Sequence, residues 1–283
     1  MLFIVIAIIL FSFNNVLWKK NLVETSVVFL VTYRSFITSC IALLVLFLLS
    51  ESVSVNSYIF FKITVGSLFG VVGLYSMLYV IKTNSLQWIG VYNLIGICFT
   101  AFYLWFFESI DVFVALAGLL IIIVGFVFYI YSNINSQITI SKNQHLVLFV
   151  MTFSFSLSAL IHWKNLEQDI PSVFIIANQE IIVFFSGLIF MLKQTELSKL
   201  KTNIPIYFKK VSLMSLVIFL ALLFSFIGLK DTNPLTSSIL FLASPLTTIL
   251  FSSYFFKEKI SVSNWLCIFI IAFGAFVVHY QTT

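Results

Sequence analysis

Residues 232–280 read TNPLTSSILFLASPLTTILFSSYFFKEKISVSNWLCIFIIAFGAFVVHY. They form two apolar runs joined by a short charged turn at Lys257, Glu258 and Lys259. Each run reaches the roughly 20 residues that a helix needs to cross a bilayer. Residues 83–131 read TNSLQWIGVYNLIGICFTAFYLWFFESIDVFVALAGLLIIIVGFVFYIY. The two strings align without a gap. They share an opening Thr-Asn, a Phe-Phe pair before an acidic turn, a late Gly and a final Tyr. Phe106 falls on Phe255, Phe107 on Phe256, Gly125 on Gly274 and Tyr131 on Tyr280. An internal repeat of this kind sets the architecture before any single element is named.

The repeat reaches the earlier residues too. Trp18-Lys19 matches Trp163-Lys164, and Phe29 matches Phe174, at one constant offset. Apolar runs fall at 2–18, 26–49, 59–81, 85–107, 111–131, 145–163, 171–192, 209–229, 235–256 and 261–280. Hydrocarbon offers no water to free backbone groups, so runs of this length without short-period alternation must be helices. The predicted fold is an all-α membrane protein with ten transmembrane helices in two inverted five-helix repeats. The halves are 1–131 and 145–283, with a polar connector at 132–144. Five is odd, so the second half enters the membrane from the opposite side. Inverted repeats are typical of secondary transporters, whose substrate sites lie between the halves near the midplane.

Composition agrees. Of 283 residues, 61% are apolar and 9% charged, and the mean hydropathy is +1.14. A soluble domain carries about 25% charged residues, so this chain belongs in a bilayer. The net charge of +5 is spread along connectors and never alternates with aromatics, which argues against nucleic acid as a partner. Cys40, Cys98 and Cys267 sit alone in apolar runs with no CxxC pair, and read as filler rather than metal ligands or disulfides. Residues 1–18 lack a basic n-region and a cleavage site, so they read as a helix and not a signal peptide. Residues 193–208, with Lys193, Lys199, Lys201 and Pro205, read as a surface loop along lipid headgroups.

The second helix carries Arg34, and the chain ends in FFKEKISVSNWLCIFIIAFGAFVV at 255–278. With the two five-helix halves, these features resemble the drug/metabolite transporter superfamily, and within it the ten-helix EamA-type transporters. The marks that carry the resemblance are Glu258, the region of Gly274 and the run TNPLTSSILFLASPLTTIL at 232–250. Glu108 is the first-half partner of Glu258, displaced by one position. The resemblance implies a carrier or exporter of small molecules in the inner cell membrane. Small multidrug exporters related to this superfamily use a membrane-embedded Glu in their first helix. Here that helix has Asn14 and Asn15.

Several polar groups lie inside the runs. Gly96 aligns with Pro245, and both read as matched interruptions of helices four and nine. Proline lacks an N–H and leaves the carbonyl four residues earlier, that of Phe241, without its helical partner. Matched breaks in two halves point to a transporter's site. Asn93, Ser244 and Thr248 surround them, with Tyr75 and Tyr79 on helix three; together with Asn14 and Asn15 these are the expected substrate-binding residues. Gly66, Gly70 and Gly73 share one helix face and read as a packing seam. Trp18, Trp88, Trp105, Trp163 and Trp265 lie near helix ends and read as interfacial anchors. His145, His162 and His279 read as interfacial too. Arg34 and Glu180 are the two charges deepest in the runs. A charge at mid-bilayer costs about 3 kcal/mol on insertion scales, so both should face the interior, either as an ion pair across the halves or with Glu180 as a proton-coupling carboxylate.

A membrane-embedded enzyme is the alternative from another class, and a structural membrane subunit is a third. An intramembrane enzyme needs clustered ligands or acids such as HExxH, and an ATP-driven pump needs a P-loop; the chain has neither. The sequence therefore reads as a non-enzyme without a cofactor, moving a small amphiphilic metabolite such as an amino acid, with protons as the candidate coupling ion. With the N-terminus inside, outward connectors would hold Lys19, Lys20, Lys82, Lys142, Lys193, Lys199, Lys201, Lys209, Lys210, Lys257 and Lys259, against Lys62, Lys164 and Lys230 inward. The positive-inside rule then places both termini outside, whereas members of the resembled superfamily usually keep both in the cytoplasm.

Overall fold

The computed structural model describes residues 1–22, 24–49, 56–82, 86–109, 116–133, 141–193, 200–257 and 262–282. Among these residues the chain is all-helical, with no strand. The helices are α1 (Leu2–Leu22), α2 (Val27–Leu48), α3 (Ser57–Lys82), α4 (Leu86–Phe107), α5 (Leu116–Asn133), α6 (Lys142–Glu167), α7 (Ser172–Lys193) and α8 (Leu200–Asp231), then α9 (Pro234–Leu240), α10 (Ser244–Phe256) and α11 (Val262–Thr282). A 3-10 turn, Phe241–Ala243, joins α9 to α10. Among the described residues, seven helical stretches are long and apolar enough to cross a membrane: α1, α2, α3, α6, α7, α8 and the α9–α10 unit. The described apolar parts of α4, α5 and α11 are shorter.

Local sequence sets the helix starts. Ser26 caps α2, its hydroxyl accepting from the Phe29 N–H at 3.2 Å. Ser141 and Gln144 form a reciprocal capping box that starts α6 three residues earlier than its apolar run predicts. Asn233 caps α9, with Pro234 in the first turn, where a missing N–H is harmless. The α4 and α10 helices end alike: Ser109 and Lys257 each turn left-handed, with φ of 52° and 57°. A left-handed residue just past a helix end lets the last carbonyls find partners.

The start of α8 corrects the expected surface loop. Residues 200–208 are helical, and Pro205 sits inside the helix. A proline so near the start removes only one bond, to a carbonyl at the helix mouth. At 32 residues α8 is the longest helix described. At 1.5 Å per residue it spans about 48 Å, well beyond the roughly 30 Å of hydrocarbon. Ile206 and Phe208 in its first turns are exposed.

The main packing pairs are α1 on α8, α2 on α7 and α8, α3 on α6 and α7, α4 on α6, α1 on α10, and α5 on α11. Glycine makes several of these crossings close. The Gly66, Gly70 and Gly73 face of α3 lies against His162, Ser158 and Phe155 of α6. At the α5–α11 crossing, a Cβ on Gly125 would stand 3.0 Å from Ile271 Cγ1, and one on Gly274 would stand 2.7 Å from Ile122 Cγ1. Small residues let backbones approach where lipid supplies no hydrophobic drive for association. Much of the outer surface is bare apolar side chain, including Leu44, Phe47, Phe61, Phe106 and Phe273.

Candidate functional site

The two deep charges meet. Arg34 Nη2 on α2 donates to Glu180 Oε2 on α7 at 2.9 Å and to Oε1 at 3.3 Å. Both side chains are 2% exposed. Their surroundings hold them in place. The Trp18 ring lies with its centroid 5.9 Å from the guanidinium carbon, a cation–π arrangement. The hydroxyls of Thr38 and Ser215 donate to the Arg34 carbonyl at 2.9 and 3.0 Å, tying α8 to the same turn of α2. Tyr75 of α3 stands beside Ser186 and within the field of Arg34, its ring edge-on to Phe190 at 5.0 Å. The pair thus joins α2, α7, α3 and α8 at one point.

The second polar group surrounds Pro245. The helix breaks one turn before it, as its missing N–H requires. The Phe241 carbonyl is not left bare, because the Ser244 N–H takes it in the tighter i-to-i+3 bond of the 3-10 turn. Ser12 of α1 reaches into this break. Its hydroxyl donates to the Ser244 carbonyl at 3.1 Å and shares a hydrogen bond with the Thr247 hydroxyl. Thr247 Oγ1 also lies 3.0 Å from the Ser244 carbonyl. The Thr248 Oγ1 and the Asn14 Oδ1 are buried with no hydrogen-bond partner. The Pro245 side chain lies outside the described residues.

Gly96 corrects the expectation of a matched break. The α4 helix runs through it without interruption. Glycine keeps its backbone bond and only removes a side chain, and here the space is filled by α6. A Cβ would meet Ser156 Oγ and Thr152 Cγ2, each at 2.9 Å. The Gly96 carbonyl accepts from Thr100 Oγ1 at 2.9 Å and from Ser156 Oγ at 3.3 Å. Gly96 therefore turns onto α6 and Ser244 onto α1. Asn15 and Asn93 are half-buried, and Tyr79 is 51% exposed.

Position near a helix end proved a poor guide to exposure. Trp18 and Trp163 are buried rather than interfacial, while Trp105 and Trp265 are about half exposed. The side chains of Trp88 and His279 lie outside the described residues. His162 is buried, packed edge-on against Phe226 of α8 at 5.5 Å. His145 receives or gives a hydrogen bond at 2.8 Å with Tyr92. Cys40 and Cys98 are exposed and Cys267 is buried, all free. Among the described residues no three His, Cys, Asp or Glu side chains cluster as metal ligands.

The sequence reading missed two arrangements. One is Ser12, a lone hydroxyl in an apolar run with no pattern to mark it. The other is an ion pair at the end of α4, where Glu108 is held by Lys164 Nζ of α6 at 2.5 Å. Lys164 also meets Glu167 at 3.0 Å. The repeat had marked both members, since Lys164 matches Lys19 and Glu108 pairs with Glu258 at a displacement of one position; Glu258 lies outside the described residues. In the turn between α6 and α7, Asp169 meets Lys230 at 2.8 Å, and that hydrogen bond and charge hold its carboxyl below the ordinary 3.8. Its folded value is the lower one, so the pair's small contribution is present above pH 3.8 and fades as pH falls through the lowered value. Asp169→Asn should therefore leave the melting temperature near neutrality almost unchanged, a shift of at most a degree or two for an exposed pair.

Comparison with known proteins completes the picture. No curated protein matches the chain. A solved structure, described only as the crystal structure of a protein, superposes with a TM-score of 0.77 at 15% identity, over 99% of this chain and 96% of that one. At that identity the likeness concerns the fold alone. Residues 143–280 match the family described as "EamA-like transporter family". Over these residues the chain matches the EamA-like transporter family, which is part of the drug/metabolite transporter superfamily and whose members are membrane transporters of small substrates.

Proposed function

We propose that the chain is a secondary transporter that exports a small amphiphilic metabolite, such as an amino acid, across the inner cell membrane. It works by alternating access between two inverted five-helix halves, 1–131 and 145–283, linked by residues 132–144, with ten crossings in all. The observation that carries this reading is the way the packing pairs exchange. Swapping each helix for its repeat partner turns α1 on α8 into α6 on α3, and α1 on α10 into α6 on α4. The α5–α11 crossing maps onto itself residue by residue, Gly125 with Ile271 becoming Gly274 with Ile122. Antiparallel helices exchanged by a two-fold axis need that axis perpendicular to them, in the membrane plane. Two halves related in this way can rock about a central site and expose it to either side.

The proposed substrate-binding residues are Asn14, Asn15, Tyr75, Tyr79, Asn93, Gly96, Ser244, Pro245 and Thr248. The buried, unpartnered oxygens of Asn14 and Thr248 support it best, and Gly96 acts by keeping α4 close to α6. Arg34 and Glu180 form the proposed coupling site, where a proton on Glu180 releases Arg34. The aromatic, largely apolar surroundings suit an amphiphile better than a polyanion.

Uptake of a labelled metabolite panel into proteoliposomes, with and without an imposed pH gradient, tests this. The expected result is saturable uptake of one class, stimulated by the gradient; uptake of none would sink the transporter reading. Pro245→Leu should lower transport about tenfold while membrane insertion stays near the native level, because a continuous helix removes the 3-10 turn that presents Ser244. Equal transport by the variant would show that the break is only a packing feature. A reporter fused after Thr283 and active on one side only fixes the orientation.

A further inference from the structure

The short helix α9, Pro234–Leu240, is enclosed on all sides. Every one of its residues except the half-buried Ser238 is buried. It packs against α1 and α4 from the first half of the chain and against α6 and α8 from the second. Its side chains show the same surround. Leu240 is buried in one cluster with Ile4 and Ile8 of α1. Leu235 and Ile239 belong to the cluster that holds Leu104 of α4, Leu166 of α6 and Phe226 of α8. The α10 helix continues the same crossing in a different setting. It packs on α1 and α4, and Tyr254 and Phe255 near its end are 80% and 50% exposed. A helix at the edge of a bundle shows one face to lipid. The α9 helix instead fills the middle of the bundle at one end.

That end is the one where α1 begins, since a Cβ on Gly228, near the end of α8, would stand 3.0 Å from the Ile4 backbone nitrogen. The α9 helix is jointed at both of its own ends. Thr232 and Asn233 link it to α8, with Asn233 extended at φ -131° and ψ 163°. The 3-10 turn Phe241–Ala243 links it to α10, and a short 3-10 stretch inside a helical crossing often marks a hinge. The far side of that turn is tied down, because Ser12 of α1 bonds the Ser244 carbonyl and the Thr247 hydroxyl. On the near side the hydrogen bonds are local. Thr232 Oγ1 donates to the Gly228 carbonyl at 2.8 Å, and Asn233 Oδ1 accepts from the Thr236 N–H at 2.8 Å. Thr236, Ser237 and Ser238 carry hydroxyls, so lifting α9 into water exposes less apolar surface than an all-aliphatic plug would.

We infer that α9 is the gate of the transport path at the end where α1 begins, closed in this structure and hinged at the 3-10 turn Phe241–Ala243. This rests on the transporter reading above. Opening bends the crossing at the turn, while α10 stays tied to α1 through Ser12. Leu235 and Ile239 then leave the apolar cluster they share with α4, α6 and α8, and water reaches the centre of the bundle from that end. Pro245 serves this motion. Its missing N–H removes the helical bond that would otherwise brace the turn, and hinges of this kind lie at the ends of elements.

The test labels a single thiol in the full chain. Cys40, Cys98 and Cys267 are replaced by Ala, and Ser237→Cys places a thiol on α9 where it is buried while the gate is shut. A membrane-impermeant methanethiosulfonate reagent is added to one face at a time, in whole cells and in inverted vesicles. Ser237→Cys should react slowly, and from the face on which α1 begins. Adding Pro245→Leu should slow that reaction about tenfold, by removing the weak point through which α9 opens. Reaction from neither face, or one as fast from the opposite face, would overturn the inference. So would a rate that Pro245→Leu leaves unchanged or raises. Should Pro245→Leu fail to fold, the face dependence decides alone. Metabolite uptake with Ser237→Cys unreactive would reject the gate and leave the transporter reading standing. A gated reaction without uptake of any metabolite would do the reverse.

Discussion

Glu180→Leu should destabilise the folded protein by about 3–5 kcal/mol, and Arg34→Leu placed in the same chain should return most of that loss. The size follows from what is left behind. Both side chains are 2% exposed, so removing the carboxylate strands a guanidinium in the bundle, and breaking a buried pair from one side carries a penalty of that order. Removing both charges leaves apolar groups among Trp18, Tyr75 and their neighbours, with Leu at 34 shorter than the arginine it replaces, and exchanging a buried pair for apolar groups is often near neutral. Denaturant titration in mixed micelles reads the stabilities, and the double-mutant cycle isolates the coupling between the two sites. If the double variant is as unstable as the single one, the pair is a support for the fold and not a removable charge device. Its transport should not return with its stability. On the proposed reading of Glu180 as the coupling carboxylate, Glu180→Gln should insert normally yet lose pH-driven uptake, because an amide cannot take up a proton as a carboxylate does; full gradient-driven uptake by that variant would overturn that role.

Gly274→Ala should cost about 1–3 kcal/mol, the usual penalty for forcing extra volume into a close contact. Gly125→Ala should cost less. The two glycines are repeat partners, but their obstacles differ. The nearest atoms to a Cβ on Gly125 belong to the side chains of Ile270 and Ile271, which can rotate. A Cβ on Gly274 would stand 2.9 Å from the Ile122 backbone nitrogen and 3.1 Å from the Gly118 carbonyl oxygen, which cannot move without shifting α5. Thermal melts of the two variants in one detergent give the order directly. An equal loss in both would mean that the whole of α5 slides to accommodate either methyl.

The ion pair was legible in outline because charge is rare in these helices: two deep charges at nearly symmetric positions had few other groups to meet. The repeat was legible because its register holds over long gap-free strings. Azimuth was not legible. In a bilayer the outward face of a helix is as apolar as the inward face, so the pattern that orients a soluble helix is weak. For that reason Trp18, Trp163 and His162, read as interfacial, turned out to be buried in the bundle. Gly96 was read as a break because it aligned with a proline, but glycine keeps the N–H that proline lacks, and the helix continued. The start of α8 was lost behind Pro205 and its lysines, which mark a membrane boundary more reliably than a helix boundary.

The cancellation of charge between Arg34 and Glu180 has an electrical consequence. With Glu180 ionised the pair is neutral, and moving it relative to the membrane does no work against the transmembrane voltage. Once Glu180 is protonated, Arg34 alone gives the site one positive charge, and each elementary charge crossing the full field is worth about 2.3 kcal/mol per 100 mV. The protonated form would then feel the membrane voltage while the ionised form would not. If Glu180 is the coupling carboxylate proposed above, transport through the site would be electrogenic in one half of its cycle. A potassium diffusion potential set with valinomycin, at equal pH on both sides, should change the rate of wild-type transport and leave the residual rate of the Arg34→Leu/Glu180→Leu variant unmoved.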